Sequence, residues 1–266
     1  MLLTDKVVIV TGAGGGLGEG IARVCHREGA RVVVADIRGD AASKVAGSLG
    51  EAALAVTCDV GNDEARSRLV DASIAECGRI DGLVNNAGVN FVRAFLETTV
   101  EDWERVIRVD LRAVFFFSQL VCRQMLAQES GGSIVNISSV HSVAALPGAG
   151  PYDAAKTGVV GLTKSIAVEM AAANIRVNAI SPGLLNTQIW KDLLAAAPDP
   201  ERAVEHWNSN IPIARAIEPE EVGELAAFLL SDRSKSITGA NILADGGMTS
   251  QLTSREPYES RSIEGH

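Results

Sequence analysis

Cysteine is scarce, and none of the four (Cys25, Cys58, Cys77, Cys122) stands in a CxxC or Cys/His spacing. That excludes a disulfide framework and a zinc-type ligand set, so no metal is expected; the pattern suits buried thiols in a reducing cytoplasm. Long apolar runs are missing as well. No stretch approaches the ~20 residues that cross a bilayer, and "MLLTDKVVIVTG" enters a strand-like run at once, which leaves no room for a signal peptide. Positive charge is in short supply, with 24 Lys and Arg against 33 Asp and Glu and a net charge of −9. Nucleic acid and anionic membrane are therefore not expected as partners. Tyrosine is the rarest aromatic, at two residues, Tyr152 and Tyr258.

What remains is a globular composition, 47% hydrophobic and 21% charged. Strand-like and helix-like stretches alternate along it. Short apolar runs fall at 6–12, 31–36, 52–60, 82–88, 132–139, 175–183 and 241–247, several ending in glycine or asparagine. Helical spacing of apolar residues fills 17–28, 39–48, 62–77, about 101–129 and about 152–173. Strands that are apolar throughout, rather than at alternate positions, belong to a parallel sheet covered on both faces. Seven of them in this rhythm predict an α/β fold, a doubly wound seven-stranded parallel sheet in a single domain over 1–248. Its ligand site would lie beyond the carboxyl ends of the strands. Residues 184–217 break the rhythm and read as a lid or substrate loop at that edge. Residues 249–266 read as a polar tail, either packed on a neighbour or partly foreign to the fold.

"TGAGGGLGEG" joins the first strand to the first helix. Gly12, Gly16 and Gly18 let backbone turn tightly and approach a ligand, and the helix start behind them offers free amides to a pyrophosphate. No Gly-Lys-Ser/Thr follows, so a kinase-type phosphate loop is excluded. Asp36 ends the second strand 18 residues after Gly18, where a carboxylate can accept both hydroxyls of an adenosine ribose. Capping the next helix is the other reading of Asp36. Within "PYDAAKTG", Tyr152 and Lys156 stand four apart, on one face of a helix. Taken alone, a packed tyrosine beside a solvated lysine is the better explanation of that pair.

Together these pieces resemble the short-chain dehydrogenase/reductase family in its Rossmann-type form of about 250 residues. "TGAGGGLG" (11–18), with Leu17 inside it, resembles the TGxxxGxG cofactor turn. Asp59 and Val60 resemble the pair that contacts adenine, and "NNAG" (85–88, including Asn86, Ala87 and Gly88) the motif after the fourth strand. Tyr152 with Lys156 matches YxxxK. Ser139, rather than Ser138, stands where the family keeps its catalytic serine. "SPGLLNT", with Pro182, Gly183 and Thr187, resembles the segment that wraps the nicotinamide, and "ADGG" (244–247) the end of the last strand.

The resemblance implies an enzyme that passes a hydride between a nicotinamide cofactor and an alcohol or carbonyl. Free tyrosine ionises near pH 10, too high for a base near neutrality, but a cation one helical turn away favours the phenolate. Lys156 would also hold the nicotinamide ribose, and Ser139 the substrate oxygen. The fourth catalytic position departs from the family pattern: Asp110 stands where asparagine is usual. The family uses that residue's backbone carbonyl to hold a relay water, so the relay can survive the change. Asp36 favours NAD by repelling the 2′-phosphate of NADP, against which Arg38 is the one nearby cation.

The substrate pocket is expected to draw on Asn90, Phe91, Ser139, His141, Tyr152, and the loop's Asn186, Gln188, Trp190, His206, Trp207 and Asn208. Amides and imidazoles that bind hydroxyls, with indoles that cover a C–H face, suit a sugar or small polyol. Trp190 and Trp207 could equally anchor the lid to the core. A 3-oxoacyl thioester or hydroxysteroid is the alternative substrate. A non-catalytic dinucleotide sensor or a methyltransferase would have no need of Ser139, Tyr152 and Lys156 together. Three adjacent phenylalanines in "AVFFFSQLV" (113–121) exceed one core-facing stripe, which points to a subunit partner, and the family implies a homotetramer.

Overall fold

The computed structural model describes residues 1–252, so most of the polar tail foreseen at 249–266 lies outside the described residues. Seven strands run β1 (Val7–Thr11), β2 (Arg31–Asp36), β3 (Ala53–Thr57), β4 (Gly82–Asn85), β5 (Gly132–Ile137), β6 (Ile175–Pro182) and β7 (Asn241–Ala244). All pair in parallel, in the spatial order β3-β2-β1-β4-β5-β6-β7. The helices are α1 (Gly16–Arg27), α2 (Gly39–Leu49), α3 (Asp63–Cys77), α4 (Val100–Ile107), α5 (Ala113–Ala127), α6 (Gly150–Met170), α7 (Gln188–Ala196), α8 (Pro200–Ser209) and α9 (Pro219–Leu230).

Neighbouring residues of one strand belong to different cores, because side chains alternate across a sheet. Val8, Val10, Val32 and Val34 pack with α1, α2 and α9 on one face. Val7, Ile9, Val33 and Ala35 pack with α3, α5 and α6 on the other. Both faces being covered is why the strands read as unbroken apolar runs. The chain walks outward from β1 to β3, then returns to lay β4 on the other side of β1. That reversal opens a crevice above the carboxyl ends of β1 and β4.

Most expected elements fall within a few residues of their places, and the departures concern the site. β4 stops at Asn85 and β5 at Ile137, so "NAG" and Ser138–Ser139 leave the sheet and stand above it. The long helix expected from 101 is α4 and α5 joined through a π turn, Arg108–Arg112, with Asp110 at its centre. Such turns occur often at functional sites. Residues 184–217 fold into α7 and α8 rather than an open loop. Asp199 caps α8 with its side chain, and Pro200 supplies the first turn.

Burial accounts for the thiols: it pushes Cys58 and Cys122 up to about 11, which keeps them as inert apolar filler. Of the three phenylalanines, Phe117 is buried, while Phe115 and Phe116 stay partly exposed on α5.

Candidate active site

The glycine turn is fixed by contacts that only glycine permits. Gly12 has φ +63°, and a Cβ there would meet the backbone of Ala87 at 2.9 Å. A Cβ on Gly18 would come within 2.2 Å of the Gly12 carbonyl oxygen. α1 begins behind this turn at Gly15 with no side-chain cap. The first amides of a helix have no partners within it, so here they are left for an anion. Asp36 is buried beneath the turn. One of its oxygens accepts the Gly14 N–H at 2.9 Å and the other accepts the Arg38 N–H at 2.9 Å. The Arg38 side chain reaches the same carboxylate, Nε at 3.4 Å.

β1 and β4 are stitched together by Thr11. Its hydroxyl donates to the Val84 carbonyl and accepts the N–H groups of Asn86 and Ala87, each at 3.0 Å. The Asn86 amide donates to the Thr11 and Gly12 carbonyls. Beneath them Asn85 donates to Asn136, and Asn136 to Thr163, a buried chain that ties β4 to β5 and α6. Asp59 accepts the Gly61 N–H and stands 3.6 Å from Arg108, while Val60 is buried beside it. At the other rim, the Gly183 N–H donates to Ala244, which brings "SPG" against "ADGG". Thr187 then lies across the turn, 3.7 Å from where a Gly16 Cβ would stand.

The two serines after β5 separate by their partners. Ser138 donates its hydroxyl to the Lys156 backbone carbonyl at 2.8 Å and is thereby engaged in joining β5 to α6. The Ser139 oxygen accepts the His141 N–H at 3.2 Å, which leaves its own proton to give. Tyr152 enters on the first turn of α6, and its ring packs with Phe91, Val106 and Ala155. Lys156 is one turn further, with Nζ 5.3 Å from the centre of the Tyr152 ring. It is buried, so the solvated-lysine reading of the pair does not describe it.

Asp110 is fully buried against Lys156. Its Oδ1 accepts the Val89 N–H at 2.8 Å, and Oδ2 lies 3.4 Å from Lys156 Nζ without making a well-directed hydrogen bond. Lys156 Nζ donates instead to the Ile137 carbonyl at 3.2 Å. Burial pushes the Asp110 carboxyl above the usual carboxylate range, and Lys156 only partly offsets this. Burial also pulls Lys156 down, but the charges of Asp110 and Tyr152 outweigh it and leave the ammonium above an ordinary lysine. Asp110→Asn is expected to give an active enzyme, because the amide oxygen can still accept from Val89. With the counter-charge to Lys156 gone, the rising limb of kcat/KM against pH is expected to move to lower pH. A large loss of activity at every pH would show that the carboxylate itself takes part in proton transfer.

The expected substrate residues divide. His141 and Phe91 stand beside Tyr152, with the His141 and Tyr152 rings edge to face at 5.2 Å. Asn90 is exposed nearby. Asn186 gives its amide N–H to Glu218 at 2.8 Å, which holds the loop to the start of α9. Trp190 is buried edge-on against Trp207 at 5.9 Å, an arrangement that anchors α7 to α8. Sequence reasoning missed Thr11, although it opens the quoted motif, and it missed Asp153, for which no spacing gave a signal. Among the described residues no group of three His, Cys, Asp or Glu is placed to hold a metal, and no helix is long and apolar enough to cross a membrane.

A parallel sheet with an uncapped helix start at its reversal point, and a tyrosine–lysine pair across the crevice, defines a nucleotide-dependent oxidoreductase of the α/β class. The comparisons with known proteins make this definite. The model of a family described as enoyl-(acyl carrier protein) reductase matches residues 12–249. The chain is 40% identical over 250 residues to a meso-2,3-butanediol dehydrogenase of Serratia marcescens, covering 94% of this chain and 96% of that one. It is 39% identical over 251 residues to the 3-oxoacyl-[acyl-carrier-protein] reductase FabG of Thermotoga maritima, covering 93% and 99%. A crystal structure of a 3-ketoacyl-(acyl-carrier-protein) reductase from Brucella melitensis complexed with NADH superposes with TM-score 0.85 at 33% identity, covering 93% and 99%. The chain belongs to the short-chain dehydrogenase/reductase family and is an oxidoreductase acting on alcohol and carbonyl groups.

Proposed function

We propose that this enzyme oxidises a secondary hydroxyl of a small polyol or sugar with NAD, through Tyr152 as base, Lys156 as its cation and Ser139 as substrate anchor. The observation that carries the reading is the buried Lys156 ammonium beneath the Tyr152 ring. Tyr152 takes the hydroxyl proton, Lys156 favours the phenolate that must form, and Ser139 orients the substrate oxygen. The residues fit a dinucleotide: an uncapped helix start for the pyrophosphate, Asp36 for the adenosine ribose, Asp59 and Val60 for adenine, and Pro182 to Thr187 over the nicotinamide. When bound, the nicotinamide ring supplies the hydride acceptor. The relative at 40% identity, named for a vicinal diol, supports the polyol.

NAD over NADP rests on the buried Asp36 carboxylate. Asp36→Ala is expected to relax the preference at least ~10-fold, because a ribose partner and a repulsive charge vanish together. Wild-type kcat/KM values for the two cofactors that are equal would instead give Arg38 the decisive part. We also propose a subunit partner, from the part-exposed Phe115 and Phe116 on α5, with the homotetramer that the family resemblance implies, and a reducing cytoplasm, from the free cysteines.

A 3-oxoacyl thioester reductase is the second reading, favoured by the relative at 39% identity. A panel of polyols, aldoses, hydroxysteroids and 3-oxoacyl thioesters, followed at the NADH absorbance band, separates the two. Sharp discrimination among epimers and deoxy compounds is expected, since a missing hydroxyl leaves a protein group unpaired at about 1–3 kcal/mol. Activity confined to thioesters or steroids would overturn the polyol assignment and leave the oxidoreductase chemistry standing.

A further inference from the structure

Resting on that reading, we infer that His141 and Asp153 form a paired specificity device. It holds one imidazole nitrogen ready for a second oxygen on the carbon next to the reacting one. His141 sits in the short turn Val140–Ser142, two residues after Ser139, and Asp153 follows Tyr152 in the first turn of α6. The pair therefore bridges the two segments that carry the serine and the tyrosine. His141 Nδ1 lies 2.5 Å from Asp153 Oδ1, and both side chains are largely buried. A carboxylate has only lone pairs to offer, so Nδ1 carries the hydrogen and donates it. That assignment holds whether or not the imidazole is charged.

Nε2 is the nitrogen left over. Among the described residues it has no hydrogen-bond partner, and it is not among the atoms sealed from solvent. The ring is held edge to face against Tyr152 at 5.2 Å, and its own backbone N–H is fixed to Ser139 Oγ. The imidazole therefore stands beside both the serine and the tyrosine, its ring centre 5.2 Å from that of Tyr152 and its backbone tied to Ser139, so an oxygen bound by those two residues has the imidazole as a neighbour. The group that fits there is a neighbouring hydroxyl or carbonyl. A hydroxyl donates to Nε2 when the imidazole is neutral, and either oxygen accepts from it when charged. The substrate class this selects is the vicinal diol and its α-hydroxyketone product, in preference to an isolated secondary alcohol.

Asp153 acts through His141 and is a positioning residue. An aspartate that merely capped α6 would affect all substrates alike, so the informative readout is a ratio. The experiment measures kcat/KM for 2,3-butanediol and for 2-butanol with NAD, in wild type, His141→Phe, Asp153→Ala and Asp153→Asn. Phe at 141 keeps the packing on Tyr152 and removes both nitrogens. The diol-to-alcohol ratio is expected to fall about 10- to 100-fold in His141→Phe and in Asp153→Ala, the range of one buried hydrogen bond. Asp153→Asn is expected to keep most of it, because its amide oxygen can still accept from Nδ1. A ratio unchanged in His141→Phe overturns the inference. A ratio unchanged in Asp153→Ala overturns the positioning role. Wild type inactive on both alcohols, on their ketones with NADH, and on the other polyols and aldoses of the panel overturns the functional reading and this inference with it.

Discussion

Tyr152→Phe is expected to fold like the wild type and to lose at least ~100-fold in turnover. The ring makes the packing contacts with Phe91, Val106 and Ala155, and phenylalanine keeps all of them. Only the oxygen goes, and with it the atom proposed to take the substrate proton. Thermal melting and nucleotide binding should match wild type. Steady-state rates at saturating substrate then report the chemistry alone, and near-full activity would remove Tyr152 from the mechanism.

Lys156→Ala is expected to have the next largest effect, on three observables together. Turnover falls because nothing then favours the phenolate. The KM for NAD rises because the same ammonium is the expected partner of the nicotinamide ribose. Stability falls because Asp110 is left buried without its cation. Removing one member of a buried pair typically costs about 3–5 kcal/mol. The double variant Lys156→Ala with Asp110→Asn separates these effects. It should recover most of the melting temperature, since no uncompensated carboxylate remains, and it should recover none of the turnover. If stability does not return in the double variant, the Asp110–Lys156 contact is not the origin of the loss.

The sheet was legible because both of its faces are covered. Runs such as "RVVVAD" have no polar alternation to confuse with a half-exposed strand, and β2 begins and ends where that run does. Motifs at strand ends were legible for a related reason. Gly12 and Gly18 admit no side chain, so the sequence has little freedom there and the pattern stands out. Residues 184–217 were harder. α7 and α8 are held by a few local devices, such as the Asp199 cap and the Trp190–Trp207 contact. Helical periodicity over nine or ten residues is a weak signal. Tryptophans that pack against each other are indistinguishable in sequence from tryptophans that cover a sugar. Asp153 was invisible because its partner is twelve residues away across a turn, with no helical or strand register between them. The π turn left no mark either, since "RVDLR" reads as ordinary helix; what drew notice to Asp110 was its departure from the family's asparagine.

The mechanism is tested most directly by mixing wild-type enzyme with NAD and 2,3-butanediol and following the NADH absorbance band, with Tyr152→Phe run at equal concentration. Wild type is expected to form NADH in proportion to the alcohol consumed, while Tyr152→Phe shows at least ~100-fold slower formation under the same conditions. Equal rates in the two proteins would contradict a mechanism in which the Tyr152 phenol, poised by Lys156, takes the proton.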